Sequence, residues 1–192
     1  MPIHDQGYQR YTGQRLPRGR AWAVIASSGI RTLLGKRAFV GLLLLAWLPC
    51  VVRAVQIYAA ANFPQMDFIR PTAETFRNFL SQQDPFVFFV TAYAGAGLIA
   101  NDRRANALQI YLSKPLTRAE YIVGKLSVLA ACLLFVTWAP AMLLLVIQVM
   151  FAGSFAFLQE NLFLFPAITV FSFVEVAMVS LAILALSSLS KN

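Results

Sequence analysis

Apolar runs near the ~20 residues that a helix needs to cross a bilayer recur four times along this chain, and they decide its fold class. They lie at residues 38–61, 85–100, 121–150 and 162–190. Composition agrees: 59% of the 192 residues are hydrophobic and only 12% are charged, where a soluble domain carries roughly a quarter. The expected fold is all-α, a polytopic transmembrane helix bundle of about four spans forming one membrane domain over 1–192.

The stretch 101–125 is the one long polar interruption between strongly apolar blocks. It holds Arg103, Arg104, Lys114, Arg118 and Lys125 against only Asp102 and Glu120. Such a density of Lys and Arg between spans marks a cytoplasmic connection. Leu108 and Leu112 are four apart and share a helical face. Ser113-Lys114-Pro115 then stops that helix, because proline lacks an amide hydrogen and disfavours helical geometry before it. Thr117, with Glu120 three residues on, makes a capping box that opens the next helix. The pattern predicts a short helix at the cytoplasmic surface, then re-entry into the membrane.

The remaining segments take their places around this turn. Residues 1–37 form a basic cytoplasmic tail and an amphipathic stretch. Trp22, Ile25, Ala26, Gly29, Ile30 and Leu33 gather on one face, with Val24 misplaced on the other. This predicts either a helix lying in the cytoplasmic interface or a basic extension of the first span. Lys36 and Arg37 anchor the first span, and Pro49 should kink it. Residues 62–84 read as an outer loop in which Phe76, Phe79 and Leu80 form one face of a short helix. The second span starts at Pro85. Its Ala92, Ala96 and Ala100 are spaced for close helix packing. The third span carries a kink signal at Pro140. The basic residues give four spans with both ends inside, in the plasma (inner) membrane.

Two charges fall inside spans. Arg53 either snorkels to the outer surface or forms a buried ion pair. Glu175, near the middle of the fourth span, is costly there and marks a candidate functional position. It is protonated, faces a polar cavity, or reaches Arg53. The net charge of +8 reads as topology signals at the membrane ends and not as a nucleic-acid surface. Cys50 and Cys132 both lie in apolar spans and form no disulfide framework. One histidine, His4, argues against a metal or haem site, so no metal or cofactor is expected on this chain. No histidine pair, nucleophile motif or carboxylate pair suggests catalysis.

In the 101–125 stretch the chain resembles the permease subunits of ABC type-2 transporters. Asp102-Arg103 matches the family's acidic-basic opening, Leu112-Ser113-Lys114-Pro115 its turn, Arg118 its arginine, and Gly124-Lys125 the start of its third span. Asp102 stands where glutamate is usual, and Asn106-Ala107 where glycine-threonine is common. The resemblance implies a membrane-spanning permease subunit of an ATP-driven exporter, with no enzyme activity of its own. It implies that 101–120 is a coupling helix docking on a separate ABC ATPase subunit, which holds ATP and Mg. The coupling residues would be Asp102, Arg103, Arg104, Leu108, Leu112, Ser113, Pro115, Arg118, Gly124 and Lys125. The chain has no phosphate-binding loop of the G-x-x-x-x-G-K type, as that division of labour requires. A permease homodimer or heterodimer in the lipid bilayer is implied too. The family usually has six spans, so this chain reads as a shortened or partial member. The alternatives are a non-transporting membrane scaffold or accessory subunit and, behind it, an integral membrane enzyme.

Overall fold

The computed structural model describes residues 21–63, 71–100, 102, 117–152 and 161–189. Among the described residues every regular element is a helix. In chain order these are α1 (Ala21–Leu34), α2 (Arg37–Ala46), α3 (Leu48–Asn62), α4 (Ala73–Gly95), α5 (Arg118–Val136), α6 (Trp138–Ala152) and α7 (Leu164–Leu189). Three stretches are long and apolar enough to cross a membrane: Arg37–Asn62, Arg118–Phe151 and Leu164–Leu189. The all-α membrane bundle is therefore as expected, with α1 as a shorter apolar helix. The surface bears this out. Leu44, Val52, Phe88, Met150 and Met178 are all more than 60% exposed, an apolar exterior that suits lipid and not water.

Two of the three long stretches are broken once, each just before a proline. Trp47 separates α2 from α3, and its amide bonds back to the Leu44 carbonyl at 3.2 Å, a tight turn ahead of Pro49. Thr137 separates α5 from α6 ahead of Pro140; its amide and its hydroxyl both donate to the Leu133 carbonyl, at 2.9 and 3.0 Å. The sequence placed kinks at these prolines, and missing amides are the cause. The two breaks pack together. The Trp47 and Phe135 rings lie 5.1 Å apart, and the Cys50 thiol donates to the Pro140 carbonyl at 3.8 Å.

The breaks divide the core into two stacked clusters. One contains Phe39, Ala46, Val90, Val128, Leu129, Leu133 and Val176. The other contains Cys50, Ile57, Phe76, Phe79, Leu144, Leu164 and Ile168. Helix α4 runs through both, and here the structure differs from the sequence reading. The second span was expected to begin at Pro85, after a separate short helix. Instead α4 starts at Ala73 and passes through Pro85 unbroken. Pro85 removes only the bond to Ser81, and both residues are exposed, so the freed carbonyl is not walled into the core. The Thr75 hydroxyl accepts the Thr72 amide at 3.1 Å and fixes the start.

A second difference concerns which small residues pack. Ala92 and Ala96 are exposed, and only Ala100 of the expected stripe is buried. The buried stripe of α4 is Gln83, Val87, Val90, Thr91, Ala94 and Gly95. A Cβ on Gly95 would lie 2.8 Å from Ile183 of α7 and 3.4 Å from Leu129 of α5. Helix contact thus uses the neighbouring face, where a glycine admits two partners at once.

Most of the amphipathic face predicted for α1 packs inward, against α5. Ala26 and Leu33 are buried, whereas Trp22 of that face is exposed, as is Val24. Two glycines allow the approach. A Cβ on Gly29 would meet Val128 at 2.6 Å, and one on Gly124 would meet Ile25 at 2.8 Å and the Trp22 carbonyl at 3.0 Å. Backbone cannot yield as a side-chain tip does. Gly124→Ala should therefore destabilise the bundle by ~1–3 kcal/mol, the usual cost of overpacking. Gly41 of α2 has nothing within 4 Å of its missing Cβ, so Gly41→Ala should stabilise by roughly 0.5–1 kcal/mol through helix propensity. Thermal melts of the detergent-purified variants check both signs.

Candidate functional site

The chain leaves α4 through a turn at residues 96–99 and reaches Asp102 at the entry of the polar stretch. That short exit is pinned from two sides. On one side Ser187, near the end of α7, accepts the Ile99 and Ala100 amides, each at 3.2 Å, and donates to the Ala96 carbonyl at 3.0 Å. One hydroxyl thus satisfies three backbone groups at a helix end that would otherwise lack partners. Serine fits because it is small and carries both donor and acceptor.

On the other side Asp102 is held by the first two turns of α5. Its Oδ2 lies 2.7 Å from Lys125 Nζ and accepts the Tyr121 hydroxyl at 2.7 Å. Lys125 Nζ also stands 5.6 Å from the centre of the Tyr121 ring. The pair is well shielded, with Lys125 and Asp102 only 15% and 18% exposed, so water screens it less than a surface pair. Tyr121 and Lys125 are four apart and share one face of α5. The start of α5 is fixed as the sequence predicted. Thr117 Oγ1 accepts the Glu120 amide at 3.2 Å, and Glu120 Oε2 accepts the Thr117 amide at 3.0 Å.

The result is a clip across the polar stretch. Asp102 stands at its entry, Tyr121 and Lys125 at its exit, and the contact joins residues 19 positions apart in sequence. Of the residues singled out from sequence, the structure brings Asp102 and Lys125 together here. Gly124 lies on the α1-facing side of α5 and serves the close helix contact. Arg118 is exposed in the first turn of α5. Arg103, Arg104, Leu108, Leu112, Ser113 and Pro115 lie outside the described residues. Tyr121 and Ser187 were not foreseen. Ser187 had a signal, since it continues the face of Ser172 and Ser180 along the fourth span.

That face has a polar counterpart in α4. The two helices run parallel: Gly95 meets Ile183, and Ser187 meets the exit of α4. This register sets Thr91 level with Ser180 and Gln83 level with Ser172. All four are buried. Among the described residues Gln83 Oε1 and Nε2, Thr91 Oγ1, Ser172 Oγ and Ser180 Oγ have no hydrogen-bond partner. Unpartnered buried polar atoms are costly and call for a reason. Glu175 is only half-buried, one turn from Ser172. The Arg53 guanidinium donates to Gln56 Oε1 at 2.8 Å, within its own helix and away from Glu175.

Among the described residues no group of His, Cys, Asp and Glu is placed to hold a metal ion. The sequence model of the family described as ABC-2 family transporter protein matches residues 23–192. That interval takes in all seven helices but for the first two residues of α1. No curated protein and no solved structure matches the chain. The family's permeases are typically non-catalytic, and membership implies association with an ABC ATPase subunit and with a membrane. The bundle, its apolar exterior and this match lead to one conclusion: the chain belongs to the ABC-2 transporter family and is a multi-pass membrane permease of an ABC transporter.

Proposed function

We propose that this chain converts ATP-driven movement of a separate ABC ATPase subunit into substrate export, and that the polar segment 101–120 receives the push. The observation that carries this reading is the clip between Asp102 and the pair Tyr121 and Lys125. A docking segment transmits force only through a stiff attachment. Closing its two ends on one another, and tying its entry to α7 through Ser187, makes a push on the segment a push on α4, α5 and α7 together. ATP and Mg belong to the partner, which docks on Arg103, Arg104 and Arg118. These charges steer docking more than they add affinity. Positive residues at this end of the bundle support a cytoplasmic N-terminus in the plasma (inner) membrane. The resemblance supports the direction of export and assembly as a permease homodimer or heterodimer.

The seam of α4 and α7 is the element best suited to move. Four buried polar side chains without partners, at matching levels of the two helices, gain hydrogen bonds when the helices shift or when a polar cargo or water enters. Apolar residues of like shape would suit a static contact better.

Two experiments test the proposal. Reversing Arg103 and Arg104 to glutamate, with topology verified, should abolish co-purification with the ABC ATPase. Full retention would sink the docking role and leave a non-transporting scaffold. Gln83→Leu should raise thermal stability by ~1–3 kcal/mol, because it removes an unpaired buried amide, while lowering transport in vesicles. Transport at the unsubstituted rate would show the seam to be passive packing.

A further inference from the structure

A cavity of about 430 Å³ opens between α1, the end of α4 and the start of α5. Its polar lining comprises Ser28, Thr32, Lys36, Tyr93, Asp102 and Lys125. Apolar side chains, among them Val24, Ile25, Leu33 and Leu98, line it too. The charge on this lining is unbalanced. Among the described residues Asp102 is the one carboxylate lining the cavity, and Lys125 and Tyr121 already occupy it. Lys36 forms no ion pair among the described residues; its Nζ rests 5.7 Å from the centre of the Tyr93 ring. Arg31 and Arg37 stand beside it in sequence, both exposed, and neither α1 nor α2 contains an acidic residue. Among the described residues, Lys36 therefore lines an opening that offers it no unoccupied protein anion.

The position of the opening selects its occupant. Lys36 and Arg37 lie where the first span begins, at the depth of lipid headgroups. A lining that combines a cation and a hydroxyl with apolar side chains suits a molecule with an anionic head and a hydrocarbon tail. Basic pockets between helices at this depth recognise anionic phospholipid heads. We infer that this cavity binds the phosphate of an anionic phospholipid, with Lys36 as the principal cation and the Ser28 hydroxyl beside it. The acyl chain then leaves along Val24 and Ile25. A lipid held here touches α1, α4 and α5 at once, against the same Asp102–Lys125 pair that closes the clip. This binding site does not depend on the proposed docking role of 101–120.

The test titrates the purified full chain in detergent with dioctanoyl phosphatidylglycerol, dioctanoyl phosphatidylcholine or inorganic phosphate, following the thermal midpoint and bound lipid by native mass spectrometry. Phosphatidylglycerol should raise the midpoint and stay bound, with phosphatidylcholine at least about fivefold weaker and inorganic phosphate without effect. Lys36→Gln should weaken phosphatidylglycerol by about fivefold, and Lys36→Arg should restore it. Equal effects of the two lipids, or full binding by Lys36→Gln, would overturn the site. A midpoint raised by inorganic phosphate alone would overturn the lipid and assign the cavity to a soluble anion.

Discussion

A 2.7 Å ion pair between Asp102 and Lys125, shared with the Tyr121 hydroxyl, holds the two ends of the polar stretch together. Other features at this end of the bundle depend on it. It sets where the chain leaves α4 and where it re-enters through α5. Among the described residues it neutralises the one carboxylate on the cavity beside α1, and Lys36 there has no ion pair. A half-shielded pair with an added hydrogen bond contributes roughly 1–3 kcal/mol. That is modest for a fold but large for the stiffness of one connection.

Away from this end, stability follows the membrane rule that backbone groups are satisfied locally. The long stretches stay helical except at Trp47 and Thr137, where a proline a few residues on removes an amide. Each break is repaired on the spot, by a tight turn at Trp47 and by the Thr137 hydroxyl at the other. Because the breaks lie against one another, the bundle has a waist between two apolar clusters. Trp138 Nε1 adds a tie just beyond it, donating to Thr169 Oγ1 of α7 at 3.3 Å. Gln83 and Ser172 fall where one cluster gives way to the other, between Phe79 and Val87 on α4 and between Ile168 and Val176 on α7. Polar groups thus gather where the packing changes.

Much of this could be read from sequence. Apolar length revealed the helices, proline the breaks, and Thr117 with Glu120 the start of α5, because each is a local effect of chain chemistry. The buried face of α1 was legible for the same reason. Two features were not. Pro85 looked like a boundary, since a missing amide usually ends a helix; its exposed position let α4 continue. Ala92, Ala96 and Ala100 looked like a contact stripe by spacing alone, yet the contact falls on the face of Thr91, Ala94 and Gly95. Only tertiary packing decides which of two small-residue faces is used. The roles of Tyr121 and Ser187 are long-range, 19 and about 90 positions from their partners, and no local pattern announces them.

The two charges of the clip can be exchanged, which keeps a pair of opposite charges across it, and that gives the sharpest measurement. ATP-driven turnover should be compared in proteoliposomes for Asp102→Lys, Lys125→Asp and the two combined, each assembled with the ABC ATPase. The account predicts that each single change uncouples ATP hydrolysis from transport and that the double change recovers much of the loss. Singles that transport normally, or a double variant no better than the worse single, would contradict it.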